Sequence, residues 1–212
     1  MPERGGVDTA PRPIDPRALR RCMGQFATGV TVITCRRGDL VHGTTVNAFT
    51  SVSLDPPLAL VALDRRSRAG ALLREDGDYV VNILDASQRD LAMHFAGRPM
   101  AEPVPWVDED GPHPRLAGTV AHLVCRPWQI HDGGDHTLHV GSVQEFESRP
   151  GRPLLFHGGA FPELAPDDSA VAWSLCLDGM NPVAHLPVHD EPDRTGRTDR
   201  TDRTDRTDRT GD

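Results

Sequence analysis

The chain has little of what most catalytic and membrane folds depend on. Only 5% of its 212 residues are aromatic, with a single tyrosine among them. No run of about 18 apolar residues occurs, so no membrane span is expected. The opening MPERGGVDTAPRP has no apolar h-region and carries acidic residues, so a secretory signal is not expected and a cytoplasmic location is. Cys22, Cys35, Cys125 and Cys176 stand singly, with neither a CxxC pair nor a zinc-finger spacing. Free thiols in a reducing compartment are expected, and no metal site. A net charge of -8 argues against a nucleic-acid surface, which needs a basic excess. Missing too are the GxSxG elbow, the Walker loop, the GxGxxG fingerprint and any evident pair of carboxylates, so hydrolysis and kinase chemistry lose most of their support.

What is present divides the chain. Residues 193–210 repeat DRT, with one GRT variant, and offer no apolar side chain to bury. Such a tract cannot offset its ordering entropy and reads as a disordered tail over 193–212. Residues 162–192 read as a Pro- and Asp-rich extension and 1–14 as a flexible N-terminus, which leaves a core domain over 15–161.

Within the core, Asp15 and Pro16 open a helix carrying Leu19, Met23, Phe26 and Ala27, with Gly29 as its expected end. Strands are expected over 30–35, 58–63, 79–84, 119–130 and 137–147, the first followed by a turn over 36–39. Two short helices are expected, one capped by Ser67 and one by Ser87 in a capping box with Asp90. Strands outnumber helices and do not alternate with them, so the fold class is mainly β: a closed antiparallel barrel with peripheral helices.

Three segments could carry chemistry. Asp64, Arg65, Arg66, Ser67 and Arg68 follow a buried strand at a helix start, where a phosphate would find hydroxyl and guanidinium donors; a solvated basic turn has the same composition. Thr44, Thr45, Asn47, Thr50 and Ser51 lie in one extended stretch of short polar side chains that a planar polar ligand could approach, or that could satisfy one another. HDGGDHTLH at 131–139 bends at Asp132-Gly133-Gly134 and reads as a structural turn or as the setting of a functional His136; its three histidines and two aspartates also suggest a metal site, but no second cluster in the core completes a coordination shell.

The order of LRRCMGQFATGVTVIT, HGTTVNAFTSVSLDPPLALVALDRRSR, YVVNIL, HDGGDHTLHVGSV and RPLLFHGGAF, from Leu19 to Phe161, resembles the flavin reductase family. These are NAD(P)H-dependent partners of two-component flavin monooxygenases. The resemblance implies an FMN-binding split β-barrel of Greek-key type that forms a homodimer, takes FMN or FAD at the dimer cleft and uses NADH or NADPH as hydride donor. It places the flavin ring edge along Thr44, Thr45, Val46, Asn47 and Ala48, with Thr50 and Ser51 toward the ribityl chain. The phosphate would meet the turn of Asp64, Arg65, Arg66 and Ser67. Asn82 would join the same shell, and His136 would position the nicotinamide. Two positions depart from the family pattern: Ala69 stands where a hydroxyl is usual, and HGGAF lacks the arginine that normally precedes the final aromatic. A flavin-retaining electron carrier or sensor, or an accessory protein without activity, would share the same motifs.

Overall fold

The computed structural model describes residues 13–74, 77–107 and 109–164. The readings of 1–12, of the tail and of most of the extension, together with Cys176, lie outside the described residues. The fold grows from β2 (Thr31–Arg37), whose run of β-branched residues is buried on both faces. Alternation sends Ile33 and Cys35 to one side and Val32 to the other, so one strand serves two cores. The first core fills a barrel with Ile33, Val61, Leu63, Tyr79, Val81 and Cys125. The second lies outside it, where Val32, Leu84, Leu91, Leu116 and Leu154 meet Phe95, Trp106 and Phe161.

Seven strands form the main sheet: β2, β3 (Leu40–Val46), β4 (Phe49–Leu54), β5 (Pro57–Asp64), β6 (Tyr79–Ile83), β7 (Ala121–Gly133) and β8 (His136–Ser148). They run in the order β3-β2-β6-β7-β8-β5-β4, and every pairing is antiparallel. The two edge strands are consecutive in the chain, joined only by Asn47 and Ala48, so the sheet curls until its edges meet at that corner. Ala62 of β5 donates its N–H to the Ala48 carbonyl at 3.0 Å, which holds the corner in place. The result is an antiparallel barrel split between β3 and β4, as the sequence leads one to expect.

Three local expectations need correction. Helix α1 (Pro16–Met23) starts as read, with Asp15 Oδ1 accepting from the Arg17 N–H at 2.9 Å, but it ends at Gly24 rather than Gly29. Thr28 and Gly29 instead form β1 (Thr28–Gly29), paired with β9 (Leu155–Phe156), because a second strand is available to take their backbone groups. The supposed single stretch through Asn47 is two strands, β3 and β4, on opposite edges of the sheet. Helix α2 (Arg68–Leu72) is capped by Ser67 as expected, whereas α3 (Arg89–Phe95) is not capped by Ser87. The Ser87 hydroxyl donates to Asp85 Oδ1 at 2.7 Å, and Gln88 Oε1 accepts from the Asp85 N–H at 2.9 Å. Asp85 thus outcompetes the capping box, and the bonds from Ser87 hold its carboxyl below the usual range.

Candidate functional site

The Asn47–Ala48 corner separates two clefts. The larger, about 560 Å³, lies between the end of β3, helix α3 and residues 156–161, and is lined by Val46, Asn47, Met93, Phe156 and Phe161 among others. The smaller, about 470 Å³, lies between the end of α1 and strands β4 and β5; Phe26, Asn47, Ala48, Thr50 and Phe156 help to line it. Both volumes suit a small organic ligand. Asn47 and Phe156 are common to both, so ligands in the two clefts would meet across them. Asn47 is exposed, and its amide makes no hydrogen bond to any described residue. It can therefore both donate to and accept from the polar edge of a flat ring, which is the fit a flavin requires.

The other expected residues divide by what their polar atoms already do. Thr45 lines the larger cleft, but its hydroxyl donates to the Ala92 carbonyl at 2.6 Å and ties α3 onto β3. Gly43, two residues earlier, has no room for a Cβ because the Phe95 ring of the same helix occupies that space. Thr44 and Ser51 line neither cleft, while Thr50 lines the smaller.

The Asp64–Ser67 turn and His136 come together at one end of the barrel, because β5 and β8 pair Asp64 with His136. Two residues of strand, about 7 Å, separate Asp64 from the Ala62 that holds the corner. Arg65 is spent on the β7–β8 hairpin: its guanidinium meets Asp132 at 2.6 Å and donates to the Gly134 carbonyl at 2.6 Å. Its backbone N–H donates to the Asp135 carbonyl at 3.1 Å. Ser67 is equally engaged, donating to the Asp64 carbonyl at 2.7 Å and accepting from the Gly70 N–H at 2.9 Å. Asp64 Oδ1 accepts the Arg66 N–H at 2.7 Å, while the Arg66 side chain is 90% exposed. Arg66 is therefore the group in this turn most open to a phosphate. His136 has Nδ1 at 2.7 Å from Asp135 Oδ1, and its Nε2 meets no described residue. That hydrogen bond and charge hold the Asp135 carboxyl below its usual range.

Asn82 does not belong with these residues. It is fully buried, its amide donates to the Val32 carbonyl and to Thr34 Oγ1, both at 3.0 Å, and its oxygen accepts the Leu116 N–H at 3.0 Å. A side chain with every polar atom engaged inside the protein cannot join a ligand shell, so its expected cofactor contact is withdrawn. His139, another member of the histidine-rich segment, is buried beside Thr137 Oγ1 at 2.9 Å, and burial lowers its pKa. Among the described residues no three His, Cys, Asp or Glu side chains converge as metal ligands would.

Sequence reasoning missed the walls. Arg89 and Met93 from α3, Arg98 just after it, Arg20 and Met23 from α1, and Phe156 and Phe161 line the clefts without standing out as motifs. The helical spacing of Arg89, Met93 and Ala96 on one face was the available signal.

Comparison with known proteins identifies the family. The model of the flavin reductase like domain matches residues 23–165. The chain is 45% identical over 156 residues to an NADH-dependent flavin reductase of a Rhodococcus species, covering 71% of this chain and 88% of that one. It is 36% identical over 171 residues to HsaB, the reductase subunit of a flavin-dependent monooxygenase of Rhodococcus jostii, covering 79% and 88%. Among solved structures, the NADH:FAD oxidoreductase SgcE6 of Streptomyces globisporus, in complex with NAD and FAD fragments, matches with a TM-score of 0.68 at 38% identity. That match covers 75% of this chain and all of the other. The matched family region contains the whole barrel, α3 and the Asn47 corner, and the chain belongs to the flavin reductase-like family.

Proposed function

We propose that the chain is a flavin reductase that takes hydride from NADH, or from NADPH, passes it to FMN or FAD, and supplies the reduced flavin to a partner monooxygenase. The observation that carries this reading is the pair of clefts that share Asn47 and Phe156 as a common wall. Hydride donor and acceptor are both supplied by the cofactors, so the protein has to bind them face to face and tune their surroundings. That requirement accounts for a site without a nucleophile or paired acids. Asn47 and the backbone of the corner orient the flavin edge, and Arg66 offers charge to its phosphate. His136, steadied through Nδ1 by Asp135, presents Nε2 to the nicotinamide amide as a positioning group.

The same reading includes a homodimer working in the cytoplasm. Met23, Phe26, Leu54 and Phe146 are 67%, 77%, 76% and 77% exposed, and α1 buries none of its residues. A second copy would cover such side chains. Among the described residues, no helix is long and apolar enough to cross a membrane.

The test is an assay of the purified protein with FMN or FAD and with NADH or NADPH, following the nicotinamide absorbance. Loss of that band with at least one pair is expected. No loss with any of the four pairs would overturn the reading.

A further inference from the structure

The larger cleft holds two arginines that no described residue neutralises. Arg89 begins α3 and Arg98 follows its end, where Gly97, at a φ of 91°, and a bond from the Arg98 N–H to the Met93 carbonyl at 2.9 Å turn the chain back toward the cleft. The Arg89 guanidinium lies over the Phe161 ring, 5.5 Å from its centre. Neither arginine makes a side-chain hydrogen bond or ion pair to a described residue, and no carboxylate lines the cleft. Several other arginines are engaged within the protein. Arg36 donates to the Gly111 carbonyl, Arg37 to Leu72, Arg149 to Thr119, and Arg65 meets Asp132. In a chain with a net charge of -8, two cations left unpaired around one apolar cleft point to an anionic ligand.

The floor between them says what else the ligand carries. Val30, Val46, Met93, Phe156 and Phe161 give an apolar surface of the size a heterocyclic ring needs. The arginines flank a seven-residue helix, about 9 Å of axial rise, and their long side chains can close on an anion larger than a single phosphate. Resting on the reductase reading above, we propose that Arg89 and Arg98 receive the diphosphate of a dinucleotide and so distinguish it from the corresponding mononucleotide. FAD and the pyridine dinucleotide carry the same diphosphate chemistry.

The experiment compares the full chain with R89A/R98A and with the charge-preserving R89K/R98K, titrating FMN, FAD, NAD+ and nicotinamide mononucleotide by calorimetry. Both residues are exposed, and circular dichroism checks that each variant is folded. For the alanine variant, Kd for FAD or for NAD+ should rise about tenfold, the scale of one lost charge-assisted contact, with both mononucleotides within about twofold. The lysine variant should lie nearer the wild type. A rise confined to FAD places the flavin's diphosphate in the cleft, and a rise confined to NAD+ places that of the pyridine dinucleotide; either supports the proposal. No change in any of the four ligands, or equal weakening of all four, overturns it. Turnover of wild-type protein with each of the four pairs of NADH or NADPH with FMN or FAD is measured beside the titrations. Its absence would remove the reductase reading, while the titrations would still decide the role of the two arginines.

Discussion

Asn82 and Asn47 stand in the same barrel with opposite fates. Asn82 gives its amide to β2 and takes the Leu116 N–H, so it ties together β6, β2 and the segment that covers the second core. Asn47 sits where the two edges of the sheet meet and has its amide to spare. The buried residue holds the scaffold, and the open one is available to a ligand. Residue type does not separate them; the number of hydrogen-bonding positions already filled does.

The sharpest way to break this contrast is to remove each amide in turn. Asn82→Ala would leave the Val32 carbonyl, Thr34 Oγ1 and the Leu116 N–H without their present partner in a dry interior. A loss of about 2 kcal/mol or more in denaturant unfolding is expected, since Thr34 keeps its bond to the Pro114 carbonyl while each buried group left unpaired costs on the order of 1 kcal/mol or more. An Asn82 variant of wild-type stability that had lost flavin binding would restore Asn82 to the ligand shell. Asn47→Ala should do the reverse. Its unfolding free energy should stay within about 0.5 kcal/mol of wild type, while Kd for FMN rises about tenfold, equivalent to about 1.4 kcal/mol. If FMN binding were unchanged, the corner would not be the flavin edge.

The same contrast explains how much could be read from the sequence. The barrel class was legible because β-branched runs such as VTVITC announce strands by composition, whichever partner they pair with. The turn at Ser67 was legible because capping is a local matter. Gly29 as a helix end and Ser87 as a cap failed for one reason: a competing partner, β9 in the first case and Asp85 in the second, lies outside the local pattern. In the candidate site, Thr45, Val46, Asn47, Ala48 and Thr50 line the clefts. Asn82 could not be told from Asn47, because what decides between them is a set of contacts reaching from Val32 to Leu116. Phe156 and Phe161 come late in the sequence and reach the corner only through the β1–β9 pairing, which no single-segment pattern marks.

A smaller effect tests the rule inside the barrel. Tyr79 Oη is buried without a hydrogen-bond partner, and burial, together with the neighbouring Cys125 thiol, pushes its pKa far above the ordinary tyrosine value. The same burial raises Cys125 to about 12, so neither group ionises at neutral pH. Tyr79→Phe removes an orphan and keeps the ring. The variant should be as stable as wild type or more so, by up to about 1 kcal/mol in chemical unfolding. A loss larger than that would show that the hydroxyl has a partner after all, with the Cys125 thiol beside it as the candidate.

The smallest expected effect lies with His139. Its pKa is lowered first by burial and then by the charge of Arg74, so the folded state favours the neutral ring while the unfolded chain titrates at the ordinary histidine value. Between those two values the unfolded state binds more protons. Stability from this residue is therefore complete above the ordinary value, about 6.5, and is lost as pH falls through the folded value. His122 and His42, also lowered by burial, add to the same slope. Thermal midpoints measured from pH 7.5 down to pH 5 should fall for wild type, and less steeply for His139→Gln, which can keep a hydrogen bond to Thr137 without taking a proton. Identical slopes would mean that burial does not keep the His139 ring from charging, and would no longer separate the scaffold histidine from the one available to a ligand.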